Sequence, residues 1–209
     1  MTKSARGKYD RTQSPAQRFE QLHERLLAAA TEVFAERGYN ATRVDDLVAA
    51  AGISRRTLYE HFDSVEAVLD AVYDRAIRIS FQIMMARLAG VTDPIERIRV
   101  GVAAYYDMIA DHPAAARVVF DQYRQAGPAQ AAKYALNTTR YATLMLEILN
   151  LAHAAGRLRR APDELTTYAL TKACEAAGVR ALDRGELASL RDIAPVMAEL
   201  LINAFRGAD

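Results

Sequence analysis

The segment spanning residues 42–62, TRVDDLVAAAGISRRTLYEHF, constrains the fold more than any other stretch of this 209-residue chain. It contains two short helix signals separated by a single turn. Leu47 and Ala51 recur at helical spacing and give the first short helix an apolar face. Gly52 can end that helix because a residue without a Cβ adopts positive φ freely. Ser54 is then the N-cap candidate for the second helix.

The second helix of this pair begins with polar groups that suit DNA. Arg55 and Arg56 stand in its first turn, where recognition helices contact base edges and phosphates. Leu58 and Phe62 can face inward. A generic helical hairpin would also satisfy two capped helices joined at a glycine. The order of side chains after Ser54 favours the more specific interpretation, a helix-turn-helix whose second helix enters the major groove.

Helix start and stop signals recur along the whole chain, whereas strand alternation is scarce. Thr42 followed by Asp45 matches a capping box and predicts that Thr42 caps the first short helix. Pro195 is expected to interrupt the last segment, so that its regular part begins near Asp192. The chain is therefore predicted to be all-α, with about nine helices. The helices expected after the helix-turn-helix span about 64–88, 94–110, 113–125, 128–155, 162–183 and 192–206.

The segment from Leu26 to Tyr73 resembles the N-terminal domain of the TetR family of bacterial transcriptional repressors. The residues that carry the resemblance are LLAAATEVFAERGYNATRVDDLVAAAGISRRTLYEHFDSVEAVLDAVY. They match the family in the aromatic-glycine end of the first helix at Phe34, Gly38 and Tyr39. They also match in the Ala-Gly-Ile-Ser turn and in the Thr-Leu-Tyr centre of the recognition helix. One departure is Val65, where the family usually carries a lysine.

The resemblance implies an N-terminal helix-turn-helix domain followed by a helical ligand-binding and dimerisation domain. It divides the chain into a basic flexible arm over residues 1–17, a DNA-binding domain over 18–63 and the second domain over 64–209. The function implied is that of a cytoplasmic repressor, which binds a palindromic operator as a dimer and is released by a small apolar or amphipathic ligand. Activation is left open because it depends on where the operator lies. The alternative is a helical adaptor, or a regulator without a ligand, that acts through protein partners.

The charge of the chain is uneven, although its formal net charge is only +1. Hydrophobic residues make up 51% of the sequence, which is enough for a sizeable core. The first eighteen residues contain five Lys or Arg and one Asp, which gives 5 − 1 = +4. Such an arm can reach into a minor groove or lie along phosphates. A disordered solubilising tail is an equal alternative.

The helix-turn-helix supplies the predicted DNA contacts. Arg55 and Arg56 are the candidates for base contacts, because a guanidinium can donate two hydrogen bonds to guanine O6 and N7. Thr57 is expected to contact a thymine methyl or a phosphate, and Arg43 a base or a phosphate. Glu60 is expected to face solvent, and the remaining four side chains to bind phosphates and fix the register. The predicted DNA-binding residues are Thr42, Arg43, Ser54, Arg55, Arg56, Thr57, Tyr59 and His61.

Large, soft side chains concentrate in the middle helices and predict a small-molecule cavity. Ordinary core packing is the alternative for each of them. Glu147 and Glu175 would favour a cationic ligand if they faced inward. Gln122, Tyr123 and Arg124 precede a Gly-Pro break and could gate the pocket. The predicted ligand-binding residues are Phe81, Met85, Tyr105, Met108, Phe120, Tyr123, Tyr141 and Met145.

The last two helices carry apolar faces that must be buried somewhere. Leu165 and Tyr168 lie on one helix, and Val196, Leu200 and Phe205 on the other. The protein's own core is one possible cover, and a second copy of the chain is the other. The resemblance favours the second copy, because the final two helices of the family usually form its dimer. Two recognition helices about 34 Å apart can then read a palindrome.

Other classes of protein are not expected. Cys174 is the only cysteine, which rules out an internal disulfide or a cysteine-based zinc site and fits a reducing cytoplasm. The start of the chain lacks a secretory signal, and charges interrupt every apolar run. Glu20 and His23 form a single Glu-x-x-His, whereas a di-iron bundle needs two. Without a phosphate-binding glycine loop or a nucleophile motif, we expect no enzyme, no cofactor and no metal.

Overall fold

Nine helices make up most of residues 14–207, the part of the chain that the computed structural model describes. Those residues contain no strand, and this confirms the all-α prediction. The sixth helix is a continuous run whose middle is π-helical. The helices are α1 (Pro15–Arg37), α2 (Val44–Ala51), α3 (Arg55–Tyr59), α4 (Val65–Leu88), α5 (Pro94–Asp111), α6 (Pro113–Arg117, Val118–Tyr123 and Arg124–Ala126), α7 (Pro128–Ala154), α8 (Glu164–Arg184) and α9 (Ser189–Arg206).

The predicted basic arm lies largely outside the described residues. Its last residues belong to α1, because Ser14 is the N-cap of that helix. The Ser14 hydroxyl accepts a hydrogen bond from the Gln17 N–H at 3.2 Å, and the Gln17 side chain accepts one from the Ser14 N–H at 2.8 Å. Pro15 suits the first helical position, since no N–H is left unsatisfied there. The helix thus starts where Ser14 and Pro15 predict it to start.

The turn between α2 and α3 forms as its sequence predicts. Gly52 ends α2 with φ 63° and ψ 41°, in the left-handed region that favours glycine. Ser54 caps α3, and its hydroxyl accepts a hydrogen bond from the Thr57 N–H at 3.0 Å. Leu58 is fully buried and anchors α3 on the core.

The capping box predicted at the start of α2 is wrong by one residue. Arg43 is the N-cap, and its N–H donates to the Asp46 carboxylate at 2.9 Å. The Thr42 hydroxyl instead donates to the Gly38 carbonyl at 2.7 Å, across the preceding turn. Thr42 is buried at this point. The Thr42 hydroxyl, which the sequence pattern predicts to cap α2, therefore stabilises the turn after α1 instead.

Helix α4 joins the helix-turn-helix unit to the remaining helices. Its first half packs on α1, where Val68, Leu69 and Val72 share a core with Phe34. Its second half packs on α5, which also contacts α7, α8 and α9. The α5–α8 crossing is close, because a Cβ at Gly178 would lie 2.7 Å from Ile109 Cδ1. These helices enclose a cavity.

Helices α9 and α6 each differ from the sequence expectation in one feature. Helix α9 begins at Ser189 and continues through Pro195, so this proline does not delay the helix start. Pro195 is exposed, and water can therefore satisfy the carbonyl that loses its N–H partner. Residues Val118–Tyr123 of α6 form a π-helical turn, which no local pattern predicts.

Candidate DNA-binding and ligand-binding sites

The outer face of α3 presents polar side chains to solvent. The side chains of Arg55 and Arg56 are 64% and 89% exposed, and Tyr59 is 54% exposed. The buried face of the same helix is held by Leu58. An exposed helix that begins with two arginines, on a rigid two-helix support, has the geometry of a recognition helix.

Each arginine of α3 already has an acidic neighbour. Arg55 donates from Nε and Nη2 to the two Asp45 carboxylate oxygens at 2.7 and 2.5 Å, and this guanidinium holds the pKa of Asp45 below its usual range. Arg56 donates from Nε to Glu60 at 3.1 Å. These pairs stand in water, where an ion pair contributes little stability. A phosphate or a guanine can therefore replace the carboxylate at small cost, and the pairs preorient both side chains on the α3 face.

Two of the predicted DNA-binding residues are engaged inside the protein. Thr42 is buried and bonded to Gly38, as noted above. The His61 ring stacks on Phe19 of α1 at 3.9 Å between centroids, and its Nδ1 lies 3.3 Å from Nδ1 of His23. Burial, followed by the neighbouring His23, lowers the pKa of His61. His61 thus joins the end of α3 to α1 instead of standing with the exposed arginines.

The other predicted DNA-binding residues lie closer to the exposed face. Ser54 and Thr57 share a hydrogen bond between their hydroxyl oxygens at 2.8 Å at the N-terminus of α3. Arg43 is exposed at the start of α2. Arg43 is thus exposed on the same helix-turn-helix as Arg55, Arg56 and Tyr59.

A cavity of about 290 Å³ lies among α4, α5, α6, α7, α8 and α9. Its wall is mainly apolar and includes tyrosine hydroxyls. Five of the eight predicted ligand-binding residues line it: Tyr105, Met108, Phe120, Tyr141 and Met145. The structure thus brings together most of the side chains that composition alone selected.

Three predicted ligand-binding residues lie elsewhere. Phe81 and Met85 are 46% and 43% exposed on α4, because the cavity-facing side of that helix carries Ser80 and Met84 instead. Neighbouring positions on a helix differ by about 100°, so the adjacent residues face outward. Tyr123 stacks on Tyr73 at 3.7 Å between centroids and belongs to the contact with α4.

Hydrogen bonds join several polar groups of the cavity wall, among them Ser80, which the sequence analysis does not select. Ser80 and Tyr141 share a hydrogen bond of 2.5 Å between their hydroxyl oxygens, and burial raises the pKa of Tyr141. The Tyr134 hydroxyl donates to the Glu175 carboxylate at 2.5 Å. Lys172 donates to the same carboxylate oxygen at 2.5 Å, and the charge of Glu175 is thereby compensated. Tyr134 and Tyr141 are seven residues apart, and helical spacing places both on this wall of α7.

The π-helical turn of α6 is hydrogen-bonded both to the loop after α1 and to α4, the helix that joins the helix-turn-helix unit to the cavity. The Gln122 side chain accepts a hydrogen bond from the Tyr39 N–H at 2.9 Å, and the Tyr123 hydroxyl donates to Asp70 at 2.7 Å. Gln122 and Tyr123 belong to the π-helical turn, and its residues Val119 and Phe120 line the cavity. Of the predicted gate residues, Gln122 contacts the helix-turn-helix unit directly, whereas Tyr123 contacts α4.

The described residues contain neither a cluster of metal ligands nor an activated thiol. Within residues 14–207, no three His, Cys, Asp or Glu side chains are grouped to hold a metal ion. Burial raises the pKa of the Cys174 thiol to about 11, which disfavours the nucleophilic thiolate at neutral pH. In the same range, none of the helices has the length and hydropathy required to cross a bilayer.

Comparison with known proteins agrees with both halves of this architecture. Residues 26–72 match the family described as "Bacterial regulatory proteins, tetR family", and residues 91–204 match "Tetracyclin repressor-like, C-terminal domain". The HTH-type transcriptional activator FasR of Mycolicibacterium smegmatis is 34% identical over 113 residues, 54% of this chain and 52% of that protein. The HTH-type transcriptional repressor KstR2 of Mycobacterium tuberculosis is 34% identical over 101 residues, 46% of this chain and 48% of that protein. The chain spans about half the length of these relatives.

A solved structure with the same overall fold is that of the fatty acid degradation regulator FadR from Bacillus halodurans. Its TM-score is 0.81 at 20% identity, over 95% of this chain and 100% of the other. The match of the second family domain alone covers more than half of the chain. Members of this family are transcriptional regulators that bind DNA as dimers and respond to small molecules, and they are not enzymes. The chain belongs to the TetR family of bacterial transcriptional regulators.

Proposed function

We propose that this protein is a cytoplasmic, sequence-specific repressor that binds a palindromic operator as a dimer and is released by a small apolar or amphipathic ligand. The observation that carries the proposal is the exposed start of α3, where Arg55 and Arg56 stand on a buried support. The DNA-binding domain would span residues 18–63, and the ligand-binding and dimerisation domain residues 64–209.

In the helix-turn-helix, Arg55 and Arg56 are the proposed base contacts. Each guanidinium can leave its carboxylate and donate two hydrogen bonds to a guanine. Arg43, Ser54, Thr57 and Tyr59 would contact phosphates beside them, with Thr57 also able to reach a thymine methyl. Thr42 and His61 would act from within the protein, by holding the turn before α2 and the end of α3.

The proposed dimer forms through α8 and α9. Large apolar side chains remain exposed on both helices in the single chain: Leu165 at 79%, Tyr168 at 38%, Val196 at 63% and Leu200 at 47%. A second copy would cover them, because contiguous apolar surface of this kind is typical of protein interfaces. The proposal fits the dimeric state of the family.

The ligand would occupy the cavity lined by Tyr105, Met108, Phe120, Tyr141 and Met145. Such a ligand can shift the protein between two states only if it binds one of them more tightly. Gln122, which contacts the DNA-binding domain, and Tyr123, which contacts α4, would transmit the difference. The state with bound ligand would place the two recognition helices out of register with successive major grooves.

The test is selection of bound sequences from random duplex DNA by the purified protein, followed by affinity measurements over a range of salt concentrations. A palindrome and a steep fall of log affinity with log salt are expected. Recovery of no enriched sequence at low salt would contradict the proposal and favour a helical adaptor that acts through protein partners. The position of the recovered site relative to a promoter would distinguish repression from activation.

A further inference from the structure

Arg75 of α4 contacts both the cavity and helix α1. It lines the cavity, and its Nε donates to the Glu24 carboxylate of α1 at 2.7 Å. Glu24 also accepts a hydrogen bond from Arg78 at 3.5 Å. Arg78 does not line the cavity and stands with Arg75 and Glu24 along a neighbouring groove between α1 and α4.

The guanidinium of Arg75 retains unused donors. Within residues 14–207, the structure gives no hydrogen-bond partner to its Nη1 or Nη2. The side chain is 26% exposed, so it is partly withdrawn from water. Among the described residues that line the cavity, Arg75 is the sole Lys or Arg. The Glu175 carboxylate on the same wall is compensated by Lys172 and Tyr134.

The cavity is polar near Arg75 and apolar farther from the DNA-binding unit. Helices α4 and α7 run parallel, because Asp74 pairs with Lys133 at 2.6 Å and Ser80 with Tyr141 at 2.5 Å. Tyr134 therefore lies level with the Arg75 end of α4. The opposite end is lined by Leu88, Ile148 and Leu201, which are buried and apolar.

The distance between these ends suits an extended molecule. Arg75 and Leu88 are separated by 88 − 75 = 13 residues of α4, which corresponds to about 20 Å of helix. The cavity of about 290 Å³ is narrow for that length. An extended apolar body with one polar end would match its shape and its distribution of polar groups.

We infer that the cavity takes an amphipathic carboxylic acid whose carboxylate is bound by Arg75 and whose apolar body extends toward Leu88. This inference rests on the proposed ligand cavity and names the chemical class of its occupant. A carboxylate matches the unused donors of a guanidinium. The acid also shares the positive charge of Arg75 with Glu24, so that its binding in the cavity weakens the electrostatic attraction between α4 and α1 at this pair.

The test compares decanoate with 1-decanol by titration calorimetry on the purified full chain, with no DNA present. The two probes have the same ten-carbon chain and differ in the charge of the head group. We expect decanoate to bind at least about tenfold more tightly, as a charge-assisted hydrogen bond in a partly buried site would provide. The variant R75Q is expected to lose this preference while keeping its affinity for 1-decanol.

The matched control is R78Q, which removes the other arginine that contacts Glu24 without altering the cavity wall. R78Q should keep the preference for the acid. The variant E24Q removes the competing carboxylate and should raise the affinity for decanoate about two- to fivefold, the scale of an exposed ion pair.

Equal affinities for the two probes, a preference that persists in R75Q, or binding of neither probe would overturn the inference. A lower decanoate affinity in E24Q would overturn the competition between the acid and Glu24. These outcomes do not depend on DNA. A protein that binds decanoate through Arg75 but selects no DNA sequence would keep this inference and contradict the proposed regulator.

Discussion

The proposed DNA-contacting surface of α3, its reading face, differs in construction from the wall of the cavity. The α3 face consists of consecutive residues from Ser54 to Tyr59, supported by one buried leucine and a capped turn. The cavity wall is assembled from side chains on α4, α5, α6, α7, α8 and α9, which are far apart in the sequence. Local sequence can therefore predict the reading face in detail, whereas the cavity depends on how distant helices pack.

Substitutions on the buried and the exposed sides of α3 should differ most in their effect on the free energy of unfolding. Leu58→Ala removes a fully buried side chain and should lower the free energy of unfolding by about 2–5 kcal/mol. Tyr59→Ala, one residue later and 54% exposed, should change it by about 0.5 kcal/mol or less. Denaturant unfolding at one fixed protein concentration measures both. Similar losses in the two variants would mean that Tyr59 is buried in the assembled protein.

The reading face itself should be separable from stability. Arg56→Ala should weaken binding to the selected DNA site by about 1–3 kcal/mol and relax its preference at one base pair. Unfolding should be unchanged, since the Arg56 side chain is 89% exposed. Glu60→Gln removes the partner of Arg56 without removing the guanidinium, and it is the control in fluorescence anisotropy with labelled duplex. An Arg56→Ala protein with unchanged sequence preference would leave Arg55 as the only base-reading arginine.

Most helix starts were predictable because the signals are local. Pro94, Pro113 and Pro128 each occupy a first helical position, where the missing N–H costs nothing. Pro195 misled the prediction because an exposed proline within a helix can leave its orphaned carbonyl to water. The α2 cap shifted to Arg43 because the preceding turn uses the Thr42 hydroxyl.

The sequence predicts which types of side chain line the cavity, but not which positions on each helix face it. Large soft side chains indicated a pocket, and Tyr105 and Met145 do line it. Phe81 was assigned to it on size alone, although the packing of α4 turns that residue to solvent. Arg75 was missed because its importance comes from Glu24, fifty-one residues earlier in the chain. Such a contact has no local signature.

The hydrogen bond between Tyr123 of α6 and Asp70 of α4 should have an intermediate effect on stability. Tyr123→Phe removes the hydrogen bond to Asp70, which joins α6 to α4 at 2.7 Å, and should cost about 1 kcal/mol of unfolding free energy. The control is Tyr141→Phe, which removes a hydrogen bond of similar length within the cavity wall. If α6 couples the regions, only Tyr123→Phe should also change the affinity for the selected DNA. An equal change of DNA affinity in both variants would argue against a specific role for this contact.

The smallest expected effect concerns pH and the Arg75–Glu24 pair. The hydrogen bond from Arg75 lowers the pKa of Glu24 in the folded protein below the value of 4.5 that is usual for this carboxyl. A carboxyl with a depressed folded pKa contributes stability above its unfolded pKa and loses that contribution as the pH falls through the folded pKa. The stability difference between the protein and its Glu24→Gln variant should therefore be present at pH 7 and shrink below pH 4.5. Unfolding measured across this range, with and without about 1 M salt to screen the pair, checks the prediction. A difference that stays constant down to pH 3 would mean that Glu24 contributes through packing and not through its charge, and competition with a bound acid would then lose its electrostatic basis.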